Sequence, residues 1–366
     1  MPKQPETLLL NAMHTSGGGG LTYLKGVLPE LARDERFKWV LLAPAAALEG
    51  GWVPANVQVN VAPEMGFVQG HLWEQLVLPW LALRWGARTI LCNANYAPLL
   101  AWRSVLIVHT TPRAAGYALS GGMRVYWAAL KVLTRLSLWN APVAFSVAHH
   151  VIADYVGPRS ARKVRVAPPA IATVVPATPG ARDGNLVVAI GDLYAQKDYP
   201  LLVRAFAKLL EQRPHTRLML VGRPVDARVR DELLGLIREL KLSHAVTLTG
   251  GMPHAQLMGV LARAAVFVNT SKAECFNIPV LEAMAQGVPC VLPDADFQFE
   301  VADSAGVYVP VDKGGDVAAA FAVAMFGVLE NPLVAEALRT KGLARAKLFT
   351  WQATAQVIAE GLASKG

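Results

Sequence analysis

The chain has 366 residues, of which 53% are hydrophobic and 17% charged, with a formal net charge of +8 at pH 7. This composition excludes disordered, collagen-like and low-complexity proteins, because those need low hydrophobicity or a short repeat. The length predicts two domains at roughly 150 residues each. Three cysteines without a CxxC pair argue for a reducing compartment and against a disulfide framework or structural zinc site.

The positive charge and the tryptophans are concentrated in the N-terminal half. Residues 1–180 contain 16 Lys and Arg against 8 Asp and Glu, whereas residues 181–366 contain 19 of each. Eight of the nine tryptophans precede residue 150. The two halves are therefore expected to have different roles. The most apolar run, 76–83, is far shorter than the ~20 residues of a membrane-spanning helix, so we expect a soluble or peripheral protein.

Short apolar strands alternate with helices through the N-terminal half. Strands are predicted at 7–13, 39–43, 57–61, 88–93, 104–109 and 143–147, and helices at 21–31, 71–85 and 123–139. Pro79 is expected to break the second of these helices. Continuous apolar strands between helices predict a parallel sheet that is buried on both faces.

A proline-rich segment at 171–184 is predicted to link this domain, 1–170, to a second one at 185–348. The second alternation has strands at 186–190, 218–221, 246–249, 266–269 and 290–292, and helices at 201–212, 227–240, 255–263, 278–286 and after 317. Residues 349–366 are expected to form a C-terminal helix, with a return to the first domain as one option. The prediction is an α/β protein with two facing, doubly wound, Rossmann-like domains and a cleft between them.

The most specific motif lies at 271–285, where a loop leads from a strand into a helix. Pro279 suits the first turn of that helix, where a missing N–H costs nothing. Amides near Asn277 and Ile278 are expected to point outward and form an anion site suited to a pyrophosphate. Glu274 in the loop and Glu282 one turn into the helix can each accept hydrogen bonds from sugar hydroxyls.

These two glutamates, with seven residues between them, together with Phe276 and Pro279, resemble the signature of the retaining glycosyltransferases of family 4. The resemblance implies the GT-B fold, with an acceptor-binding first domain and a second domain that binds a nucleotide sugar. It implies that Glu274 contacts the donor sugar and Glu282 the ribose, with Phe276 beside them. Cys275 and Asn277 stand where the family usually has glycine.

A second match covers 188–198, where Gly191 follows a strand and Lys197 is retained as a diphosphate partner. Asp192 replaces the arginine of the family pattern. Either Asp192 turns away from the phosphates, or another cation such as Arg223 compensates for its charge. The same stretch resembles that of O-antigen mannosyl- or rhamnosyltransferases, which favours a GDP-sugar over a UDP-sugar.

Two further groups of the first domain are candidates. The tetraglycine 17–20 lies between a strand and a helix, and in the resembling family such a loop, here Gly18 and Gly19, borders the donor phosphates and the acceptor. His109 ends a predicted strand, where family members often have a histidine near the donor sugar. It is expected to bind the sugar or stabilise the transition state, although Thr110 replaces the aspartate that often follows.

The helix at 123–139 carries Arg124, Lys131 and Arg135 within about 40° of each other, at ~100° per residue. With Trp127 they predict a membrane or acceptor face that contacts anionic lipid headgroups. The alternative is a core helix with one solvated basic stripe. Nucleic acid is not the expected partner, because no RNA-binding aromatic signature or helix-turn-helix is seen.

The sequence therefore predicts a retaining hexosyltransferase of bacterial surface polysaccharide or lipopolysaccharide synthesis. It would use a nucleoside diphosphate sugar and a glycan or lipid-linked acceptor, and would be peripheral at the inner face of the plasma membrane. His109, Glu274 and Lys197 are the predicted catalytic residues, and no metal is expected. The resemblance implies a same-face displacement without a covalent protein intermediate. Asp294 and Asp296 resemble a metal-binding DxD, but such a pair is common in turns. The alternatives are a UDP-sugar transferase, a nucleotide-sugar epimerase and a weakly catalytic membrane scaffold.

Overall fold

The computed structural model describes residues 4–112, 121–156, 161–171, 182–312 and 314–364. The chain divides into two compact units. The first contains residues 1–172 and 350–366, and the second contains residues 173–349. The predicted linker at 171–184 falls mostly outside the described residues.

The first unit is built on a seven-stranded parallel sheet of order β3-β2-β1-β4-β5-β6-β7. Its strands are β1 Glu6–Asn11, β2 Phe37–Ala43, β3 Gln58–Val61, β4 Thr89–Cys92, β5 Arg103–Val108, β6 Ala144–Ser146 and β7 Val164–Val166. Most residues of β1, β2, β4 and β5 are buried, as their apolar sequences predict for a sheet covered on both faces.

The described helices of this half are α1 Gly18–Leu31, α2 Ala45–Leu48, α3 Phe67–Leu76, α4 Leu78–Arg84, α5 Gly121–Asn140 and α6 His149–Ala153. The predicted helix at 71–85 is two helices that meet at Val77. The expected break at Pro79 was therefore two residues late. Pro79 lies in the first turn of α4, where the missing N–H has no partner to lose.

The second unit has a six-stranded parallel sheet of order β10-β9-β8-β11-β12-β13. Its strands are β8 Leu186–Ile190, β9 Arg217–Val221, β10 Val246–Gly250, β11 Val266–Val268, β12 Cys290–Pro293 and β13 Gly306–Val309. Its helices are α7 Tyr199–Leu210, α8 Ala227–Glu239, α9 His254–Arg263, α10 Ile278–Ala285, α11 Asp296–Ala302, α12 Val317–Glu330 and α13 Pro332–Ala346. The sequence analysis missed β13 and α11.

The last helix, α14 Trp351–Ala363, packs on the first unit. The Trp351 ring lies edge-on to Tyr23 of α1, with centroids 5.5 Å apart. It also covers Gly26, where a Cβ would come within 2.0 Å of the indole. Thr354 adds a hydrogen bond of 2.7 Å to the carbonyl of Pro168. Glycine at position 26 is thus required for the close approach of α1 and α14.

The predicted fold class, α/β with two Rossmann-like parallel-sheet domains, is confirmed. The facing arrangement and its cleft remain predictions. In each sheet the strand order reverses once, between β1 and β4 and between β8 and β11. Ligands of open α/β sheets bind outside the carboxyl ends of the strands at such switch points. The two switch points are therefore where functional residues are sought.

Within the described residues, no single helix is long and apolar enough to cross a membrane. Two helical segments, Val317–Glu330 and Pro332–Ala363, are together long and apolar enough for a span. They are bent by 96° at the break between them.

Candidate active site

The switch point of the second unit joins two predicted catalytic residues that are 77 positions apart. Lys197 follows β8 and Glu274 follows β11. The Nζ atom of Lys197 lies 2.5 Å from Oε1 of Glu274, and both side chains are about 12% exposed. The sheet topology, which places β8 beside β11, is what brings the two residues together.

Hydrogen bonds between the two loops fix this pair. The hydroxyl of Thr270 donates to the carbonyls of Lys197 and Asp198 at 3.0 and 3.1 Å. The hydroxyl of Ser271 donates to Oε1 of Glu274 at 2.6 Å. Glu274 is thus held by a neutral donor as well as by the lysine. A carboxylate held in this way is ready to accept hydrogen bonds from a ligand without a large rearrangement.

Glycine is required at position 191, directly after β8. Its φ of +150° lies in a region that other residues rarely adopt, and a Cβ there would lie 2.7 Å from Cε of Lys197. The carbonyl of Gly191 also accepts a 2.6 Å hydrogen bond from the Tyr199 hydroxyl. The Lys197 side chain therefore passes directly over the backbone of Gly191, where no side chain stands in its way.

The structure decides between the two alternatives for Asp192, because Arg223 neutralises it. The Arg223 guanidinium donates to both carboxylate oxygens at 2.6 to 3.2 Å, and its backbone N–H donates at 2.9 Å. Burial raises the pKa of Asp192, but these hydrogen bonds and the nearby Lys197 outweigh burial and hold that pKa below its usual value. The carboxylate stays charged and paired.

We expect Arg223→Ala to weaken binding of nucleoside diphosphates several-fold, because it leaves the Asp192 charge uncompensated near Lys197. The matched control is the double variant Arg223→Ala/Asp192→Ala, which removes the anion as well and should recover part of the affinity. Isothermal titration with GDP and UDP measures both. Equal affinities in the single and double variants would show that Asp192 does not affect the phosphate site.

The second glutamate of the motif, Glu282 on α10, is paired with a residue that the sequence analysis did not single out. His254, the first residue of α9, lies with Nε2 2.9 Å from Oε1 of Glu282. The carboxyl group is 10% exposed, whereas the histidine side chain is 65% exposed. Burial raises the pKa of Glu282, and the hydrogen bond from His254 partly offsets this rise. The hydrogen bond with His254 thus favours the charged form of the Glu282 carboxyl group.

The expected anion site at the start of α10 lacks one of its two predicted amides. The amide of Ile278 donates to the carbonyl of Phe276 at 2.9 Å, so the prediction that it points outward was wrong. The tight turn before Pro279 uses that N–H internally. Phe276 packs edge-on against Phe349, with ring centroids 5.6 Å apart.

Asn277 is buried and belongs to an amide chain that the sequence did not reveal. Its Nδ2 donates to Gln298 at 3.3 Å, and Gln298 in turn donates to Asn269 at 2.8 Å. Asn269 also contacts Ser271, which binds Glu274. The buried Oδ1 of Asn277 has no hydrogen-bond partner among the described residues. The asparagine therefore supports the glutamate loop from beneath.

In the first unit, His109 follows β5 and is fixed by Asn93. Its Nε2 lies 2.8 Å from Oδ1 of Asn93, whose Nδ2 donates to Thr15 and to the carbonyl of Gly20. Because the amide oxygen only accepts, the ring nitrogen Nε2 carries the proton and Nδ1 is the acceptor. Burial lowers the pKa of His109 to about 4. The ring is therefore neutral at pH 7.

This shift predicts a pH dependence of stability. The pKa of His109 is about 4 in the folded protein and about 6.5 in an unfolded chain, so the unfolded state binds more protons between these values. Folding stability is consequently lost as pH falls from about 6.5 to 4, by at most ~1.4 kcal/mol per pH unit from this group. We expect His109→Gln to unfold in urea with a weaker pH dependence than the wild type. Identical pH profiles would contradict the assignment.

The tetraglycine 17–20, called the glycine turn below, presents backbone without side chains at the switch point of the first sheet. Gly18 has a φ of +62°, and a Cβ built at Gly17, Gly18 or Gly19 would meet nothing within 4 Å. Open space above an exposed glycine turn is compatible with the close approach of a ligand. The predicted roles of Gly18 and Gly19 remain predictions.

The basic helix α5 is partly exposed, but its basic residues do not all face solvent freely. Nε of Arg135 donates to the carbonyl of Tyr155 at 2.9 Å. Lys131 and Trp127 are half-buried, whereas Arg124 is exposed. The outward face also carries apolar side chains that the sequence analysis did not separate from core positions. Four of them are strongly exposed: Val125, Val132, Leu136 and Trp139.

A comparison with known protein families finds a match over most of the second unit. Residues 176–342 match the family described as "Glycosyl transferases group 1". This part of the chain, a little under half of its length, is similar to that family. It contains Lys197, Glu274 and Glu282, so the paired side chains lie in the matched region.

Among the described residues, no group of three or more His, Cys, Asp or Glu side chains could hold a metal ion.

Curated relatives match parts of this chain. Mannosylfructose-phosphate synthase of Agrobacterium fabrum is 32% identical over 30% of this chain and 25% of its own length. The human GDP-Man:Man(3)GlcNAc(2)-PP-Dol alpha-1,2-mannosyltransferase is 34% identical over 28% and 23%. D-inositol 3-phosphate glycosyltransferase of Kineococcus radiotolerans is 29% identical over 54% and 51%. The chain therefore spans about a quarter to a half of the length of these relatives.

Solved structures share the fold along the whole chain. HepE of Anabaena, in complex with UDP and glucose, has a TM-score of 0.75 at 19% identity and covers 98% of this chain and 100% of that one. WaaG, a glycosyltransferase involved in lipopolysaccharide biosynthesis, has a TM-score of 0.73 at 14% identity, with the same coverage. At these identities the likeness establishes the GT-B fold alone.

Proposed function

We propose that the protein is a retaining hexosyltransferase that transfers a sugar from a nucleoside diphosphate sugar to a glycan or lipid-linked acceptor. The observation that carries the proposal is the contact between Lys197 and Glu274 at the switch point of the unit that is similar to the group 1 glycosyltransferases. A poorly exposed ammonium and a preorganised carboxylate are the groups that a diphosphate and a sugar ring require.

In this proposal Lys197 exchanges its contact with Glu274 for the donor phosphates, and Glu274, still held by Ser271, accepts hydrogen bonds from the sugar hydroxyls. Lys197 then stabilises the charge that develops on the diphosphate leaving group, without a metal ion. Glu282 accepts hydrogen bonds from the ribose hydroxyls; the hydrogen bond with His254 favours its charged form, although burial raises its pKa overall. His109, neutral and fixed by Asn93, acts through its Nδ1 atom near the sugar.

We infer a GDP-sugar donor, of the GDP-mannose or GDP-rhamnose type. The mannosyltransferase among the curated relatives, whose name includes GDP-Man, supports this choice. The solved structure of HepE contains UDP, which favours the UDP-sugar alternative. The lipopolysaccharide role of WaaG supports bacterial surface polysaccharide or O-antigen synthesis as the setting.

A thermal-shift panel of GDP, UDP, ADP and their sugars tests the donor. A ligand that binds only the native state raises stability by RT ln(1 + [L]/Kd), about 2.7 kcal/mol at 100 Kd. We expect GDP and GDP-sugars to raise the melting temperature, and Glu282→Gln to reduce the shift. A shift with UDP compounds alone would support the UDP alternative. No shift with any nucleotide would favour a membrane scaffold.

Incubation of a labelled nucleotide sugar without acceptor separates transfer from epimerisation. An epimerase of this fold would produce a new sugar nucleotide, whereas a transferase would leave the donor intact or hydrolyse it slowly.

We also propose that the first unit docks on an anionic membrane from the cytoplasmic side. The exposed apolar side chains of α5, spaced seven, four and three residues apart, form one stripe of the helix. A second group on α3 and α4 contains Val68, Leu72, Leu76, Trp80 and Leu83. We call these two groups, with Leu100 and Trp102 between them, the apolar surface.

Hydrogen bonds to the segment 97–99 connect the helices that carry these two groups. Gln75 of α3 accepts from the backbone of Leu99 at 3.0 Å, and Ser137 of α5 accepts from Ala97 at 3.1 Å. Asn140 of α5 also donates to the carbonyl of Leu99 at 3.3 Å. Both helices are therefore anchored to the same few residues.

The charges near this surface favour an anionic lipid layer over another protein. Between residues 65 and 171 the chain has eleven Lys and Arg but only two acidic residues, Glu74 and Asp154. Glu74 is fully buried. Apolar side chains that enter the headgroup region and basic side chains around them are the pattern of an interfacial helix.

The double variant Leu136→Asp/Trp139→Asp is expected to lose most co-sedimentation with phosphatidylglycerol vesicles, because it places two charges in the apolar surface. Leu333→Asp is the matched control, since Leu333 is 83% exposed on α13 of the other unit. The triple Arg124/Lys131/Arg135→Ala variant should weaken binding mainly at low salt. Unchanged sedimentation of the double variant would reject the membrane surface.

A further inference from the structure

A buried carboxylate in the first unit has no role in the site described above. Glu74 on α3 is fully buried. Its Oε1 atom accepts from Nδ2 of Asn11 at 2.5 Å, and its Oε2 atom lies 2.9 Å from Nε2 of His14. Burying a carboxylate is costly unless it is paired and hydrogen-bonded. Among the described residues, the hydrogen bond to Oε2 comes from the His14 ring.

This group lies at the switch point of the first sheet. Asn11 ends β1, and its Nδ2 atom is also 3.7 Å from Sγ of Cys92, which ends β4. His14 follows in the loop that leads into the glycine turn. Its side chain is 31% exposed, whereas Glu74 is completely covered. The cluster therefore reaches the surface through the imidazole of His14.

Glu74 determines which hydrogen bond His14 can offer to a ligand. A carboxylate oxygen accepts, so Nε2 of His14 carries the proton and Nδ1 presents a lone pair. The ring is also packed in place, with the centroid of His71 at 4.7 Å, and Tyr96 stacks on His71 at 5.3 Å. An imidazole with a fixed tautomer and a fixed plane is a directed acceptor for one hydroxyl group.

We propose that His14, positioned by Glu74, binds a hydroxyl group of a neutral, polyhydroxylated acceptor at the first switch point. The inference rests on the proposed transferase function and names the acceptor chemistry of that function. The Nδ1 lone pair accepts from an O–H donor, and the buried negative charge behind the ring disfavours a phosphate or carboxylate at this position. His14 is thus a binding residue, and Glu74 is a positioning residue that acts through it.

The test compares acceptor kinetics of the wild type, His14→Ala and Glu74→Gln, with methyl α-D-mannoside and inositol 3-phosphate as probes. A lost hydrogen bond of ordinary strength corresponds to about a 3- to 10-fold effect. We expect KM for the mannoside to rise by that factor in both variants, with a smaller change in kcat, and the wild type to prefer the mannoside over the phosphate. His215→Ala, an exposed histidine of the other unit, is the control.

A second measurement keeps the inference testable if the variants fold poorly. In ¹⁵N-histidine-labelled wild type, the Nδ1 resonance of His14 should shift on addition of methyl α-D-mannoside without donor. A shift and a raised KM support the proposal. An unmoved resonance, an unchanged mannoside KM in His14→Ala, or preference for inositol 3-phosphate would overturn it. Absence of any nucleotide-sugar turnover in the wild type would instead contradict the proposed function.

Discussion

Lys197→Ala is expected to lower kcat by roughly 30- to 900-fold, equivalent to ~2 to 4 kcal/mol of transition-state stabilisation. The ammonium lies at the switch point of the second unit and is only 12% exposed. A charge removed from water interacts more strongly with the developing charge of a leaving diphosphate. The effect should therefore appear in kcat as well as in donor affinity.

The contact with Glu274 needs its own control, because Lys197→Ala also leaves a poorly exposed carboxylate without its cation. The double variant Lys197→Ala/Glu274→Gln removes that charge. If lysine acts only by neutralising Glu274, the double variant should recover most of the activity. If lysine binds the leaving group, activity stays low. Lys208→Ala, which breaks the exposed ion pair with Asp316, is the matched control. Wild-type turnover of Lys197→Ala would remove the lysine from the site.

The largest effect on stability is expected for Gly222→Ala. A Cβ at position 222 would lie 1.9 Å from the carbonyl oxygen of Gly191 and 2.5 Å from its carbonyl carbon. Neither atom belongs to a flexible side chain, so the backbone that leads to Lys197 must move. Overpacking of this kind costs about 1 to 3 kcal/mol, or roughly 3 to 10 °C in Tm.

The control substitution, Gly235→Ala, is expected to change stability in the opposite direction. Gly235 lies inside α8 of the same unit, and a Cβ there would meet nothing within 4 Å. Gly235→Ala should therefore stabilise the protein by about 0.5 to 1 kcal/mol, since alanine loses less backbone entropy in a helix. Differential scanning calorimetry measures both variants. Equal Tm values for wild type and Gly222→Ala would show that β8 and β9 do not approach as closely as described.

The elements that the sequence predicted well are those with strong apolar patterns. The buried strand Leu186–Ile190 was predicted with its observed bounds, because five consecutive apolar residues between turn signals indicate a strand covered on both faces. The strand Gly306–Val309 was missed, since it is short and only partly buried. The helix Asp296–Ala302, with seven residues, is too short for a periodic pattern.

The candidate site shows a similar division. The motif analysis selected Lys197, Glu274 and Glu282, and the fold brings the first two into contact. It did not select His254 or Glu74, whose partners are distant in the chain. A single histidine or glutamate has no signal in a sequence unless a motif surrounds it. Asp192 and Arg223 were considered as a pair, but only the hydrogen bonds between them decide the alternative.

By itself, the sequence determined the two α/β domains, the glutamate motif of the second domain and the uneven charge, because each depends on residues close together in the chain or on composition. The tertiary structure decided which side chains meet, since the order of parallel strands places loops from distant positions at one edge of a sheet. It paired Asp192 with Arg223, Glu282 with His254 and Glu74 with His14. It also showed that the apolar stripe of α5 is exposed to solvent. A helical pattern in the sequence does not by itself distinguish such a stripe from a face that packs in the core.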